Sequence, residues 1–209
     1  MILYIIVGNA IDLKRYQFEK DRLIVGVDKG ALLAVKSNIE LDYAVGDFDS
    51  INKDETQFVF ENGIKKIQLD PVKDITDTFY AYQEFNKGMK KIIVLGGIQG
   101  YRIEHFLANI NLLKLDKRVV LEDDYSIISR YDAPCKIVFK KEQYKFYSFF
   151  SNISSIISLK GFKFDLDNYE LFDRDTLCIS NELVNSNGTL KVDAGSCILV
   201  RSKDDIAFR

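Results

Sequence analysis

KKIIVLGGIQGYRIEHFLANINLL, residues Lys90 to Leu113, runs from an apolar strand through a glycine-rich turn into a segment of helical spacing. Lys90 to Leu95 has the length and β-branched character of a buried strand, and Gly96 and Gly97 stop it. Beyond the turn, Ile103, Phe106, Leu107, Ile110 and Leu113 recur at intervals of three and four, which predicts a helix with one apolar face. The same unit repeats upstream. ILYIIVG, RLIVGVD, DYAVGD and KKIQLD read as strands, as does RVVLEDD downstream, and ITDTFYAYQEF places Ile75, Phe79 and Tyr82 on one helical face. Strand–helix alternation predicts a parallel sheet covered by helices on both sides, a three-layer α/β domain over residues 1–124.

After Asp124 the texture changes and helical periodicity stops. Short runs such as KIVFK, YKFYSFF, SIISLKGF, TLCISNEL, GTLKVDA and CILVRS are separated by Asn, Gly, Asp and Ser. Asn187-Gly188 reads as a hairpin turn, since both residues tolerate positive φ. A small antiparallel β-sandwich is expected over residues 125–209. No repeat, low-complexity segment or Gly/Ser/Pro-rich linker separates the two parts.

With 29 Lys plus Arg against 31 Asp plus Glu, the net charge is −2, which excludes a nonspecific nucleic-acid binder. Cys135, Cys178 and Cys197 form no CxxC pair, so zinc is not expected. Their strand-like flanks point to buried free thiols in a reducing compartment. MILYIIVGNA reads as a strand and not a signal peptide, and no apolar run approaches the ~18 residues that span a bilayer. A cytoplasmic protein with no membrane partner is expected.

In a parallel sheet, ligands bind outside the carboxyl ends of the strands. Asp28 ends one strand here, and Asp47 and Asp49 follow another in AVGDFDSI. Asp74 and Asp77 follow a third, and Gly96 and Gly97 end a fourth, with Arg102 close behind. Two like charges ~4 Å apart repel by roughly 4 kcal/mol at an effective dielectric of 20, so a cation or a proton must relieve the cluster. Oxygen-only ligands favour a hard cation, and Mg²⁺ is held by one or two carboxylates plus substrate phosphates. Each residue also has a plainer reading. Asp47 and Asp49 suit a turn. Asp74 suits an N-cap with Asp77 at N3, and Asp28 suits a cap for a helix beginning near Ala31. His105 beside Phe106 and Leu107 reads as a structural histidine. Arg102 suits a surface ion pair or a phosphate, and Lys29 and Lys73 are ordinary lysines unless phosphate is present. Several strand ends carrying such groups together favour a site. There is no GxxxxGK[ST] loop and no GxGxxG after the first strand.

The order VGVDKG, VGDFDSI, KDITDT, GYRIEHFLANINLL and TLCISNELVNSNGT resembles the thiamine pyrophosphokinase (thiamine diphosphokinase) family in its bacterial form, from about Val25 to Ser202. The resemblance implies an α/β domain, a C-terminal β-sandwich, and a homodimer with active sites between subunits. It implies pyrophosphoryl transfer from ATP to the hydroxyethyl oxygen of thiamine, giving thiamine diphosphate and AMP. Carried over, Asp47, Asp49 and Asp77 are Mg²⁺ ligands, and Asp28, Asp74 and Thr76 lie near the nucleotide. Lys29, Gly30, Lys73, Gly97, Arg102 and His105 complete the nucleotide side, and Ser180 and Asn181 help to hold thiamine. The family usually has two glycines before the arginine and an aspartate before the histidine, where Tyr101 and Glu104 stand here. No tryptophan exists, so an aromatic slot for thiamine needs Tyr or Phe. Two other readings remain: an aspartyl-phosphate phosphatase with Asp47 as nucleophile and Asp49 as acid/base, with Asp123-Asp124 nearby, and a non-catalytic nucleotide or thiamine sensor.

Overall fold

The computed structural model describes residues 1–8, 11–61, 64–100 and 102–204. Tyr101, and the Asn9–Ala10 end of the opening strand segment, lie outside the described residues. The chain divides into two compact units, Met1–Asp124 and Tyr125–Arg209.

In the first unit, six strands form a parallel sheet: β1 (Ile2–Ile6), β2 (Arg22–Val27), β3 (Tyr43–Gly46), β4 (Lys65–Gln68), β5 (Lys91–Leu95) and β6 (Val119–Glu122). Their order across the sheet is β6-β5-β1-β2-β3-β4, every pair parallel. Four helices connect them: α1 (Lys29–Lys36), α2 (Lys53–Phe60), α3 (Asp77–Phe85) and α4 (Ile103–Leu115). Leu3, Tyr4, Ile5 and Ile6 are all buried although they alternate between faces, so both sides of the sheet are covered. Tyr4, Ile6, Ile24, Ile93 and Leu95 share one cluster with Ala34 of α1. Ala31 and Leu32 join Ala44, Phe48 and Val59 in another. Strand order reverses between β1 and β5, the place where open α/β sheets open a ligand crevice.

The helical faces differ from the periodicity reading. On α4 the buried residues are Asn109, Leu112 and Leu113, while Ile103 and Leu107 are 65% and 55% exposed. On α3 the buried face is Thr78, Ala81 and Tyr82, and Ile75 lies before the helix. Spacing finds the helix; which stripe faces the sheet is decided by the connecting loops. α2 carries a capping box that spacing did not flag: Asn52 accepts from Glu55 N–H, and Glu55 accepts from Asn52 N–H.

The second unit is antiparallel. β7 (Ser126–Asp132), β8 (Cys135–Lys140), β9 (Phe146–Lys160), β10 (Leu166–Phe172), β11 (Asn181–Glu182) and β12 (Asn187–Ser202) make it up. β9 and β12 each join two of the short runs read in the sequence, and they pair along their length from Phe146–Ser202 to Lys160–Thr189. Register shifts between Val192 and Ala194 and between Gly195 and Cys197 bend the pair. The first half of β12 pairs β8 and the second half pairs β7. Leu190 and Val192 from one half and Cys197 and Leu199 from the other pack into one core with Phe149, Ile157 and Leu171. The sandwich is thus built from two long bent strands. Asn187-Gly188 is not a turn: Asn187 opposes Lys140 and Gly188 opposes Phe139 in the ladder. β7 was not recognised as a strand in the sequence. All three cysteines are free thiols, and burial pushes those of Cys178 and Cys197 up. Among the described residues no helix is long and apolar enough to cross a membrane.

Candidate active site

The carboxyl ends of β2 and β3 meet through backbone of unusual shape. Asp28 closes β2 with φ 46° and Phe48 follows β3 with φ 59°. Asp28 stands at the N-cap position of α1 but does not cap it. Its Oδ1 instead accepts from Phe48 N–H at 3.1 Å, across to the next strand end. Gly46 makes this possible, since a Cβ there would lie 1.8 Å from Asp28 Oδ1 and its φ is +149°. Gly30 serves a parallel purpose, because a Cβ on it would meet the Ile6 carbonyl at 1.9 Å and push α1 off β1. Phe48 itself is buried, edge-on to Phe60 at 5.3 Å between ring centroids. The Lys66 ammonium lies over both rings.

Asp47 and Asp49 flank the buried Phe48, Asp47 half-buried and Asp49 exposed. Asp47 Oδ1 accepts from Asp49 N–H at 3.1 Å, and the Asp47 carbonyl accepts from Gln68 Nε2 at 3.0 Å. Lys73 Nζ lies 3.3 Å from Asp47 Oδ2 and 3.1 Å from Asp77 Oδ1. The Asp77 contact is an ion pair out of hydrogen-bond alignment, which leaves that buried oxygen without a hydrogen bond. The same ammonium donates to the Asp70 carbonyl at 3.0 Å. Among the described residues no three acidic, histidine or cysteine side chains stand close enough to hold a metal ion as they are. Asp47 and Asp77 are brought together around an ammonium instead.

The electrostatics follow from this crowding. Burial, then repulsion from Asp77, Asp47 and Asp49, pushes the Asp28 carboxyl up to about 7 against the opposing Phe48 N–H. Asp49 is raised, chiefly by the Asp47 charge. Burial alone would raise Asp47, but the Asp49 N–H and the Lys73 ammonium outweigh it and hold Asp47 below the usual range. Burial alone would lower Lys73; Asp77 and Asp47 outweigh it and hold the ammonium above its ordinary value.

The N-cap of α3 is Thr76, whose Oγ1 accepts from Phe79 N–H at 3.1 Å. Asp77 is therefore the first helical residue rather than N3, and Asp74 is an exposed loop residue rather than the cap. Thr76 takes the role because its extended backbone directly precedes the first helical turn. Asp74 and Thr76 line a cleft of about 240 Å³ with Phe79 of α3 and Asn109 and Asn111 of α4. Asn109 donates to the Gly97 carbonyl at 2.9 Å and fixes the turn after β5. Lys29 and His105 are exposed, so His105 is no core histidine. Arg102 is 71% exposed and pairs with Glu104 at 2.7 Å. Asp124 accepts from Asp12 N–H through both oxygens at 3.0 Å.

In the second unit, Ser180 has φ 55° and its N–H donates to Ser148 Oγ at 3.0 Å. Asn181 is 3% exposed. Its Oδ1 accepts from Phe164 N–H at 3.1 Å and Glu182 N–H at 3.0 Å, and its Nδ2 donates to the Phe164 carbonyl at 2.8 Å. Phe164, Leu177 and Ile179 are exposed. Lys73, an ordinary lysine by sequence unless phosphate is present, here pairs with Asp47 and Asp77. Its place four residues before Asp77 was the available signal.

Two family models cover most of this architecture. That of the thiamin pyrophosphokinase catalytic domain matches residues 15–121, and that of its vitamin B1 binding domain matches residues 134–197. The chain belongs to the thiamin pyrophosphokinase family. A thiamine pyrophosphokinase of Bacillus subtilis is 34% identical over 199 residues, 92% of each chain. A crystal structure of the thiamine pyrophosphokinase from that organism has a TM-score of 0.87 at 32% identity, covering 98% of this chain and all of the other. The enzyme structure from Geobacillus thermodenitrificans has a TM-score of 0.85 at 26% identity, covering 99% of both. The fold expected from the sequence, a parallel α/β unit followed by an antiparallel sandwich, is that of these relatives.

Proposed function

We infer that the chain transfers a pyrophosphoryl group from ATP to the hydroxyethyl oxygen of thiamine, giving thiamine diphosphate and AMP, with Mg²⁺ as the metal. The observation that carries this is the shared cation at the sheet edge: Asp47 from the end of β3 and Asp77 from the start of α3 already grip one positive charge.

The donor set fits a hard dication. Asp47, Asp49 and Asp77 offer only oxygen, and Asp77 Oδ1 is buried without a hydrogen bond. These three would hold Mg²⁺, which when bound neutralises the donor phosphates and polarises them. Phosphoryl transfer asks the protein chiefly for positioning and charge neutralisation. The thiamine oxygen attacks the β-phosphorus, the bond from that phosphorus to the α–β bridging oxygen breaks, and AMP leaves with the oxygen. The hydroxyl proton passes to a carboxylate, Asp74 or Asp77. Asp74, exposed at the cleft and without an ion pair among the described residues, is the freer of the two. The cleft between α3 and α4 suits the nucleoside, with Asn109 and Asn111 as polar anchors and Phe79 as an apolar wall. Asp28, Lys29, Gly30, Gly97 and His105 border the nucleotide side, and Arg102 reaches phosphate by exchanging Glu104 for it.

On the sandwich, Ser180 and the exposed Phe164 are the groups to meet thiamine, a flat cation. Asn181 acts by holding the Phe164 backbone. The proposal extends to a cytoplasmic homodimer, and the three free thiols suit a reducing compartment. Family membership sets the phosphatase reading aside. Incubating the pure protein with ATP, Mg²⁺ and thiamine tests the rest. Thiamine diphosphate and AMP are expected in equal amounts, and EDTA abolishes both. Binding of ATP and thiamine without turnover leaves the sensor reading instead.

A further inference from the structure

Lys73 pairs with two of the three carboxylates that the proposed function gives to a dication. Its ammonium touches Asp47 Oδ2, Asp77 Oδ1 and the Asp70 carbonyl, and the side chain is only 17% exposed. It sits in the loop between β4 and α3, on a flexible four-carbon stem. An ammonium and a dication drawn to the same carboxylates repel across a few ångströms, so the two compete for Asp47 Oδ2 and Asp77 Oδ1. The Asp70 carbonyl lies on the same loop, so the ammonium can leave Asp47 and Asp77 by rotating its stem while α3 stays in place.

We propose that Lys73 is a tethered counter-ion: it holds Asp47 and Asp77 together while no metal is bound, yields them when a divalent cation enters, and then pairs with the nucleotide phosphates. The inference rests on Asp47, Asp49 and Asp77 being the ligands. It explains two observations together. An ammonium bridges Asp47 and Asp77, and among the described residues no three carboxylates are arranged around a metal-sized point. It also gives metal and nucleotide a common handle, since the charge displaced by the first becomes a contact for the second.

The wild-type protein reports on this through amine labelling of Lys73 read by mass spectrometry. Labelling is expected to be slow in EDTA, to rise several-fold with Mg²⁺ alone, and to fall again when ATP is added to the Mg²⁺. Labelling that Mg²⁺ leaves unchanged overturns the proposal. Mn²⁺ titration followed by electron paramagnetic resonance, without nucleotide, gives the second reading. Lys73→Met is expected to bind Mn²⁺ roughly tenfold more tightly than wild type, within the ordinary range of coupling between sites. Lys73→Arg, which keeps the competing charge, is expected to stay near wild type. Asp47→Asn separates the two levels. If it leaves Mn²⁺ affinity intact, the ligand assignment itself fails. If it weakens Mn²⁺ while Lys73→Met changes nothing, the ligands stand and the counter-ion role falls.

Discussion

The two units treat their polar groups in opposite ways. At the ends of β2 and β3, Asp28, Asp47, Asp49 and Asp77 lie near one another; burial, then their repulsion, raises Asp28, and the Asp47 charge raises Asp49. In the sandwich, the amide of Asn181 is buried with both ends engaged by backbone. The first arrangement concentrates negative charge around the single ammonium of Lys73. The second is already satisfied and makes a rigid support for what lies outside it, Ser180 and Phe164. A site that handles phosphate needs the former, because charge neutralisation is the chemistry. A site for a flat organic cation needs a shaped wall, and a finished hydrogen-bond set provides one.

If that contrast is right, Asp47→Asn has the largest effect and it falls on activity. AMP formation drops roughly a thousandfold, as when a preorganised electrostatic group is lost, while circular dichroism stays native. Retained activity in a folded variant breaks the comparison at its first half. Asn181→Ala acts on stability instead. It strands the Phe164 N–H and carbonyl and the Glu182 N–H, and urea unfolding should show a loss of about 3 kcal/mol together with a raised KM for thiamine. A raised KM at unchanged stability makes Asn181 a direct thiamine contact.

A third test uses pH. The Asp28 carboxyl stands at about 7 in the folded chain against an ordinary 3.8, so the folded state keeps a proton that the unfolded chain releases. Its stabilising contribution is complete below about pH 4 and is lost as pH rises toward neutrality. Urea midpoints measured in EDTA should therefore fall less between those limits in Asp28→Asn than in wild type, and equal slopes refute the assignment. The smallest effect is expected at Asn52→Ala, which removes the α2 capping box for about 1 kcal/mol and leaves activity untouched.

Much of the first unit was readable because its signals are local. Apart from β4 (KKIQ), each strand of the parallel sheet is a short apolar run followed by Asp or Gly, and the sheet rule then puts Asp28, Asp47 and Asp49 at one end of the sheet. What stayed hidden depends on neighbours. Ile103 and Leu107 share a stripe with Leu113, yet the loop from Gly97 turns the Asn109–Leu112 side to the sheet. Asp74 and Thr76 are both good caps by type, and only the backbone path selects Thr76. Asn187-Gly188 has the chemistry of a turn but is claimed by the ladder with β8. Lys73 looks like any surface lysine until Asp47, distant in sequence, is folded against it.

The long pairing of β9 with β12 bears on how the polypeptide assembles. Phe146 must find Ser202, so the sandwich cannot close until Ser202 has been made. The α/β unit reaches further still, since Ile2 in the first strand pairs Lys91 in the fifth. In both units, then, the search for a distant strand partner governs closure.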